Sequence, residues 1–243
     1  MITVVLVEPE VPGNVGFTAR TLACYGLSDL RIVGRPGLSA HPEARRTVSG
    51  GEAVLSATRD FADLPAAVAD CTYAFGFSRR TRDPAQRILD LPDAVNLVHG
   101  PGIHPGIAGN VALVFGCESQ GLSREDTLRL SHLVRIRLPD STLSLNLSHA
   151  VAIALHAFVG TASDDDRSAV TSHDDFPTMA ESEGVLAAVI ATLTDRNLLR
   201  PAKAEAQAEY LRMLWQRLRP SRRELEFLAG LLKKMAASGP DAP

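Results

Sequence analysis

Residues 2–7, Ile-Thr-Val-Val-Leu-Val, form an unbroken run rich in β-branched side chains. A strand with one wet face alternates apolar and polar residues. A continuous run of this kind instead fits a strand buried on both faces, as in a parallel sheet covered by helices. Pro9 ends the run. "GNVGFTARTLACYG" (13–26) then reads as a glycine-containing loop entering a helix that closes at Gly26, and "DLRIVG" (29–34) as a further short strand. "CTYAFGFS" (71–78) and "VALVFG" (111–116) repeat the strand-then-loop pattern, with helical segments predicted around 44–57 and 63–69. Strands alternating with helices predict an α/β domain on a parallel sheet, with ligands at the carboxyl ends of the strands. The loops after Val7, Phe75 and Phe115 are therefore the informative ones.

The chain has 243 residues, 45% of them hydrophobic, enough for one large α/β domain with an appendage. No stretch approaches the length of an apolar membrane span, and "MITVVLVEPE" lacks the basic flank and cleavage pattern of a signal peptide, so a cytoplasmic protein is expected. Cys24, Cys71 and Cys117 are scattered and odd in number, which argues against a disulfide framework or a structural zinc site. His149 and His156 share a helix face two turns apart, but no clustered carboxylate accompanies them, and no metal is expected. Cys24 and Cys71, in apolar surroundings, read as packing residues.

The net charge of −3 hides an asymmetry. Between 164 and 183 seven acids oppose only Arg167, whereas between Arg200 and Lys234 nine Lys or Arg oppose four Glu. Residues 161–176 are polar and acidic without periodicity and read as a linker between a domain at 1–160 and an extension at 177–243. Three helices are predicted in that extension, at 177–199, 203–218 and 221–236. The stripes Leu211, Leu214, Trp215, Leu218 and Leu225, Leu228, Leu231, Leu232 read as their core contacts. A basic appendage behind an acidic linker points to a polyanionic partner, with Arg212, Arg217, Arg219, Arg222 and Arg223 as candidate contacts.

"TLSLNLSHAVAIALHAF" (142–158) offers Ser144, Asn146 and Ser148 ahead of an apolar helix, where one capping residue would suffice. This helix start is expected to face something other than protein as well. Two further segments place polar residues at strand ends: "GNVGFTAR" with Asn14, Gly16 and Arg20, and "FGCESQGLS" with Gly116, Glu118, Gly121 and Ser123.

Taken together, the three segments resemble the motifs of the SpoU (TrmH) branch of the SPOUT superfamily, trefoil-knotted RNA methyltransferases that use S-adenosyl-L-methionine. N-x-G-x-x-x-R is matched by Asn14, Gly16 and Arg20, G-x-E-x-x-G-L-S by Gly116 to Ser123, and a Pro followed by S-L-N-x-S by Pro139 and Ser144 to Ser148. The basic extension further resembles the TrmJ-type enzymes, which methylate a ribose of the tRNA anticodon loop. The resemblance implies a parallel sheet with a carboxyl-terminal knot followed by a small helical domain. It implies 2'-O-methylation of tRNA at nucleotide 32, with ribosomal RNA, another tRNA site or a non-catalytic RNA-binding role as alternatives. By carry-over, Phe77, Ser78, Arg79, Gly116, Ile136, Leu143, Ser144, Leu145 and Asn146 line the cofactor pocket, although "FSR" stands where relatives often carry Thr-Ser-Ala. Arg20, Asn14, Glu118, Ser144 and Asn146 form the catalytic set, and Arg20 also contacts RNA. The partners implied are tRNA rather than DNA, and a second copy of the chain.

A guanidinium is protonated at neutral pH, so Arg20 reads as a phosphate anchor and a stabiliser of negative charge on the 2'-oxygen rather than as a base. The competing structural reading is an Arg20–Glu118 ion pair that only ties two loops. Cys117 could serve as a nucleophile, but no partner base is evident.

Overall fold

The computed structural model describes residues 1–79, 88–99, 109–140, 143–160 and 176–237. In chain order the first half runs β1 (Ile2–Val7), α1 (Pro12–Cys24), β2 (Leu30–Val33), α2 (Pro42–Thr47), α3 (Glu52–Ser56), β3 (Arg59–Phe61), α4 (Leu64–Val68), β4 (Tyr73–Phe77), β5 (Ile88–Asp90) and α5 (Leu91–His99). Then follow β6 (Val111–Phe115), α6 (Arg124–Leu128), β7 (His132–Arg135) and α7 (Leu147–Leu155), which continues into a π-helical turn (His156–Gly160). The extension adds α8 (Met179–Asp195), α9 (Ala204–Leu218) and α10 (Arg222–Ala237).

The seven strands form one sheet in the order β3-β2-β1-β6-β4-β7-β5, every pairing parallel. β1 behaves as its composition predicts. Val4 and Leu6 enter one apolar cluster with α1, α2, α3, α5 and α7, while Val5 and Val7 enter the other with α4. The register sets Leu6 opposite Phe115, Phe115 opposite Phe77 and Phe77 opposite Val134, so β1, β6, β4 and β7 end level with one another. That common edge is where a parallel sheet presents ligands.

Several boundaries differ from expectation. The first helix begins at Pro12, so Asn14 and Gly16 lie inside it rather than in a loop; proline at the first helical position loses no hydrogen bond there. β4 runs on to Phe77, and the segment expected as one helix at 44–57 is split into α2 and α3 by a turn through Gly50, whose φ is +88°. Cys24 is exposed, at the end of α1; only Cys71 packs inside, where burial pushes its thiol up to about 12.

At the amino ends of the strands a buried Arg31 bonds Asp29 and Asp70, and Asp29 also receives Arg59 and Thr3. Burial acts to raise the Asp29 carboxyl, but the bonds from Arg31, Arg59 and Thr3 outweigh it and hold the group at about 2. A buried charge of this kind is tolerable only when it is paired and fully bonded.

The three helices of the extension form close to their predicted positions and lie against the α4 face of the sheet. The Met179 and Ala180 amides donate to the Cys71 and Ala69 carbonyls. Gln216 Nε2 donates to the carbonyls of Thr127 (3.0 Å) and Leu130 (2.7 Å), and Trp215 Nε1 to Ser182 Oγ (2.9 Å). Arg219, left-handed at φ +45°, closes α9 and turns its guanidinium inward, 3.6 Å from the centre of the Tyr73 ring. It donates to Ser131 Oγ (2.6 Å) and the Thr72 carbonyl (3.1 Å). His132 stacks between these elements against Tyr73 and Phe75; burial, aided by the Arg219 charge, lowers it to about 4. The leucine stripes are only partly core. Leu225 is buried, but Leu218 (71% exposed) and Leu231 (41%) face outward, because two helices packed on a third leave each a free side. The expected linker lies, but for Phe176, outside the described residues.

Candidate active site

Helix α1 starts without a side-chain cap of its own, since Val11 supplies none and Pro12 has no N–H. Its entrance is satisfied from more than a hundred residues away. The Glu118 carboxylate accepts the amides of Glu10 (2.7 Å) and Val11 (3.3 Å) and the Asn14 side-chain amide (2.7 Å). An acid there also meets the positive end of the helix dipole. Glu10 reciprocates, accepting Ser119 N (3.2 Å) and Ser119 Oγ (2.5 Å). The loops after β1 and β6 are thus clasped by two carboxylates reaching in opposite directions.

The chain of bonds continues to the third segment. Asn146 Nδ2 donates to the buried Asn14 Oδ1 (3.1 Å), while Asn146 Oδ1 accepts Ser148 N (2.9 Å) and Ser148 Oγ (2.8 Å) and so caps α7. The three polar residues of this helix start have separate duties. Asn146 is the cap, Ser148 is buried beneath it, and Ser144 is exposed without a hydrogen-bond partner among the described residues. Ser144 and Asn146 are both exposed at this edge, and of the two only Ser144 has its side chain unengaged among the described residues.

Two glycines permit this geometry. A Cβ on Gly16 would come within 2.2 Å of the Ala44 carbonyl oxygen and Thr47 Oγ1, so α1 and α2 touch only because it is absent. A Cβ on Gly116 would lie 2.1 Å from the Gly121 carbonyl carbon, so the chain leaving β6 folds directly onto the Glu118 turn.

Beside this network, Phe77 at the end of β4 stacks on Phe115 at 4.5 Å, and the half-buried Ile136 packs on the same cluster just past β7. Ser78 N extends the ladder to the Val134 carbonyl (3.0 Å). Arg79 Nη1 reaches the Leu143 carbonyl (3.1 Å) and straps the loop after β4 to the stretch before α7. Leu143 is 63% exposed, and Ser144 and Leu145 make no hydrogen bond among the described residues. Phe77, Ser78, Arg79, Gly116, Ile136 and residues 143–146 therefore meet on one edge, around an apolar wall with open backbone groups.

Arg20 stands apart. Six residues beyond Asn14, it points about 120° away from it around the helix axis. It is exposed and has no ion pair among the described residues. The Arg20–Glu118 pair is not formed. Gly51 packs on the Arg20 backbone, where a Cβ would approach within 2.7 Å. Among the described residues Cys117 Sγ has only Ser119 Oγ (3.8 Å) and the Gly121 carbonyl (3.7 Å) as polar partners, neither of them a general base. No group of His, Cys, Asp and Glu fit for a metal occurs among the described residues.

The candidate polyanion contacts divide. Arg217 and Arg223 are exposed with no partner among the described residues. Arg212 shares Glu183 with Arg129, and Arg222 forks onto Glu181 at 2.9 and 3.1 Å. Arg219, expected on the same surface, faces the core instead. Glu10, Ser119 and Gly51 escaped the sequence reading; an acid two residues before a helix-starting proline was the available signal for Glu10.

Residues 1–156 match the sequence profile of the SpoU rRNA Methylase family. The chain is 32% identical, over 95% of its own length and 92% of the relative's, to the tRNA (cytidine/uridine/adenosine-2'-O-)-methyltransferase TrmJ of Pseudomonas aeruginosa. Among solved structures it resembles TrmJ from Z. mobilis ZM4, with a TM-score of 0.80 over 97% of this chain and 99% of that one at 24% identity. It also resembles the SpoU methyltransferase AviRb from Streptomyces viridochromogenes in complex with AdoMet, with a TM-score of 0.51 over 66% of this chain and 57% of that one at 20% identity.

Proposed function

The chain belongs to the SpoU methylase family, and on that premise we propose that it transfers a methyl group from S-adenosylmethionine to a ribose 2'-hydroxyl of tRNA, at nucleotide 32 of the anticodon loop. The observation that carries this reading is the bonded chain Glu118–Asn14–Asn146–Ser148, which joins all three motifs at one edge of the sheet. Similarity to a TrmJ over nearly the whole chain, helical extension included, favours a tRNA substrate over a ribosomal one.

The residues present fit the cofactor. A nucleoside held mainly through backbone groups needs unpaired N–H and C=O groups beside an apolar wall; among the described residues Ser144 and Leu145 offer such groups, following the Leu143 carbonyl that Arg79, two residues after Phe77, reaches. When bound, S-adenosylmethionine supplies an electrophilic methyl group on a sulfonium. Glu118, Asn14 and Asn146 fix the loops that hold it, and Ser144 is free to bond the substrate ribose. Arg20 anchors a phosphate and stabilises negative charge on the 2'-oxygen.

Because Arg20 points away from Asn14 on its own chain, it acts across a homodimer, in the site of the second copy. The apolar α7, with Ile153 exposed, forms part of that interface. In this reading the fold carries the family's knot near the ends of the later strands, and the protein meets tRNA in the cytoplasm. Incubation with labelled methyl donor and tRNA, followed by mapping of the methylated ribose, tests it. Label at nucleotide 32 is expected. Label at another nucleotide refutes the position, and cofactor binding with no transfer to any tRNA refutes the activity. Light scattering at micromolar concentration that finds a fully active monomer refutes the dimer.

A further inference from the structure

Helix α10 carries two apolar faces, and among the described residues α8 is the helix packed most extensively against it. Leu225 is buried and Leu228 and Leu232 half-buried on the side toward α8, whereas Phe227 is 66% exposed on another side. The surroundings of Phe227 are specific. Arg223, four residues before it, Leu231, four after it and 41% exposed, and Lys234, seven after it, fall within about 40° of it around the axis. Glu226 lies about 100° away. Glu224 is drawn back to cap the helix through Ser221 N and Oγ.

Gly230, three residues after Phe227, sits in mid-helix, where glycine is the worst former after proline. Among the described residues, no atom outside its own turn of helix lies within 4 Å of a Cβ built there, and its φ is not positive, so no packing among them and no backbone conformation requires it. What it does provide is bare helix backbone beside an exposed aromatic ring.

We propose that the Arg223–Phe227–Gly230 face of α10 is a stacking platform for an unpaired base of the RNA substrate. Phe227 stacks on the base, the bare backbone at Gly230 admits its edge, and Arg223 holds a flanking phosphate. Aromatic rings give stacking without sequence demand, and cations beside them track the phosphates. Charge selects this occupant over a second copy of the chain, since the exposed Arg223 on one copy would face its own kind on another. α9 exposes a similar pair, Tyr210 (55%) and Arg217, two turns apart on one face.

The proposal rests on the tRNA reading and is tested on the full chain. Wild type, Phe227→Ala, Phe227→Trp, Arg223→Gln and Gly230→Leu are titrated with tRNA at several salt concentrations, with cofactor affinity and melting temperature measured beside them. Phe227→Ala is expected to weaken tRNA binding about tenfold with an unchanged salt slope, and Arg223→Gln to lower that slope by about one. Gly230→Leu should weaken binding although it improves helix propensity. Phe227→Trp should retain affinity, and its added emission, read above that of Trp215, should quench on addition of tRNA. If wild type binds and methylates tRNA while Phe227→Ala binds equally well, the platform is refuted and the functional reading stands. If wild type neither binds nor methylates tRNA, both fall. If Phe227→Ala changes only the oligomeric mass, the face is a contact between copies and the proposal is wrong.

Discussion

Replacing Arg219 by Ala tests whether the extension is held to the sheet by one inward-facing guanidinium. A cation over an aromatic face contributes about 0.5–2 kcal/mol, and at 3.6 Å from the Tyr73 ring the upper half of that range applies. Each hydrogen bond from a charged donor, here to Ser131 Oγ and the Thr72 carbonyl, adds about 1.5–3 kcal/mol. Against these stands the desolvation of a guanidinium with no carboxylate partner among the described residues, which costs several kcal/mol in general. The net expectation is a loss of about 2–3 kcal/mol, equal to a shift of about 30-fold to 160-fold toward the undocked extension. Ser131 Oγ keeps its bond from Ala74 N, so the orphaned group is the Thr72 carbonyl. The sole tryptophan, Trp215, borders the same seam with Leu128 and Leu130, and its emission reports docking. In urea, Arg219→Ala should show an early Trp215 transition separate from loss of the sheet, whereas wild type unfolds in one step. Superimposable urea curves and emission spectra for the two proteins would show that Arg219 is not the latch.

Arg20→Ala should leave cofactor affinity by calorimetry nearly unchanged and lower turnover on tRNA at least about a hundredfold; wild-type turnover would remove Arg20 from the mechanism. Gly16→Ala places a methyl group where the Ala44 carbonyl stands, so thermal melting should show a loss of about 1–3 kcal/mol or more, and an unchanged melt would mean that α1 and α2 separate freely. Stability should also fall in mild acid. His132, held at about 4 against 6.5 unfolded, takes a proton in the unfolded chain first, so its contribution is complete above pH 6.5 and is lost as the pH falls toward 4, at most about 3 kcal/mol. Asp29, at about 2, loses its contribution only below the ordinary carboxylate range of about 4. His132→Phe should flatten the stability profile between pH 4 and 6.5, and an unaltered slope there would exclude His132 as its source.

What the sequence revealed about fold and site depended on how far each residue's partner lies along the chain. β1, β4 and β6 were legible because strands buried on both faces write continuous apolar runs, whereas β3 and β5, three residues each and at the sheet edges, left no such trace. Asn14, Glu118 and Asn146 could be picked out singly as polar residues at strand ends, but their mutual bonds, spanning 104 and 132 residues, are products of the strand order. Arg20 shows the converse. Its separation from Asn14 follows from six residues at 100° each, a local rule that needs no tertiary information.

The arginines of the extension carry the point furthest, because in composition they are alike. Partners 29 to 147 residues distant decide their fates: Arg212 goes to Glu183, Arg222 to Glu181 and Arg219 to the core, leaving Arg217 and Arg223 exposed. A cation already paired to a carboxylate releases few counterions when a phosphate arrives, since the carboxylate has taken their place. The salt dependence of tRNA binding should therefore reflect only part of the nine basic residues between Arg200 and Lys234, and it should steepen on removal of Glu181, which frees Arg222, or of Glu183, which frees both Arg212 and Arg129.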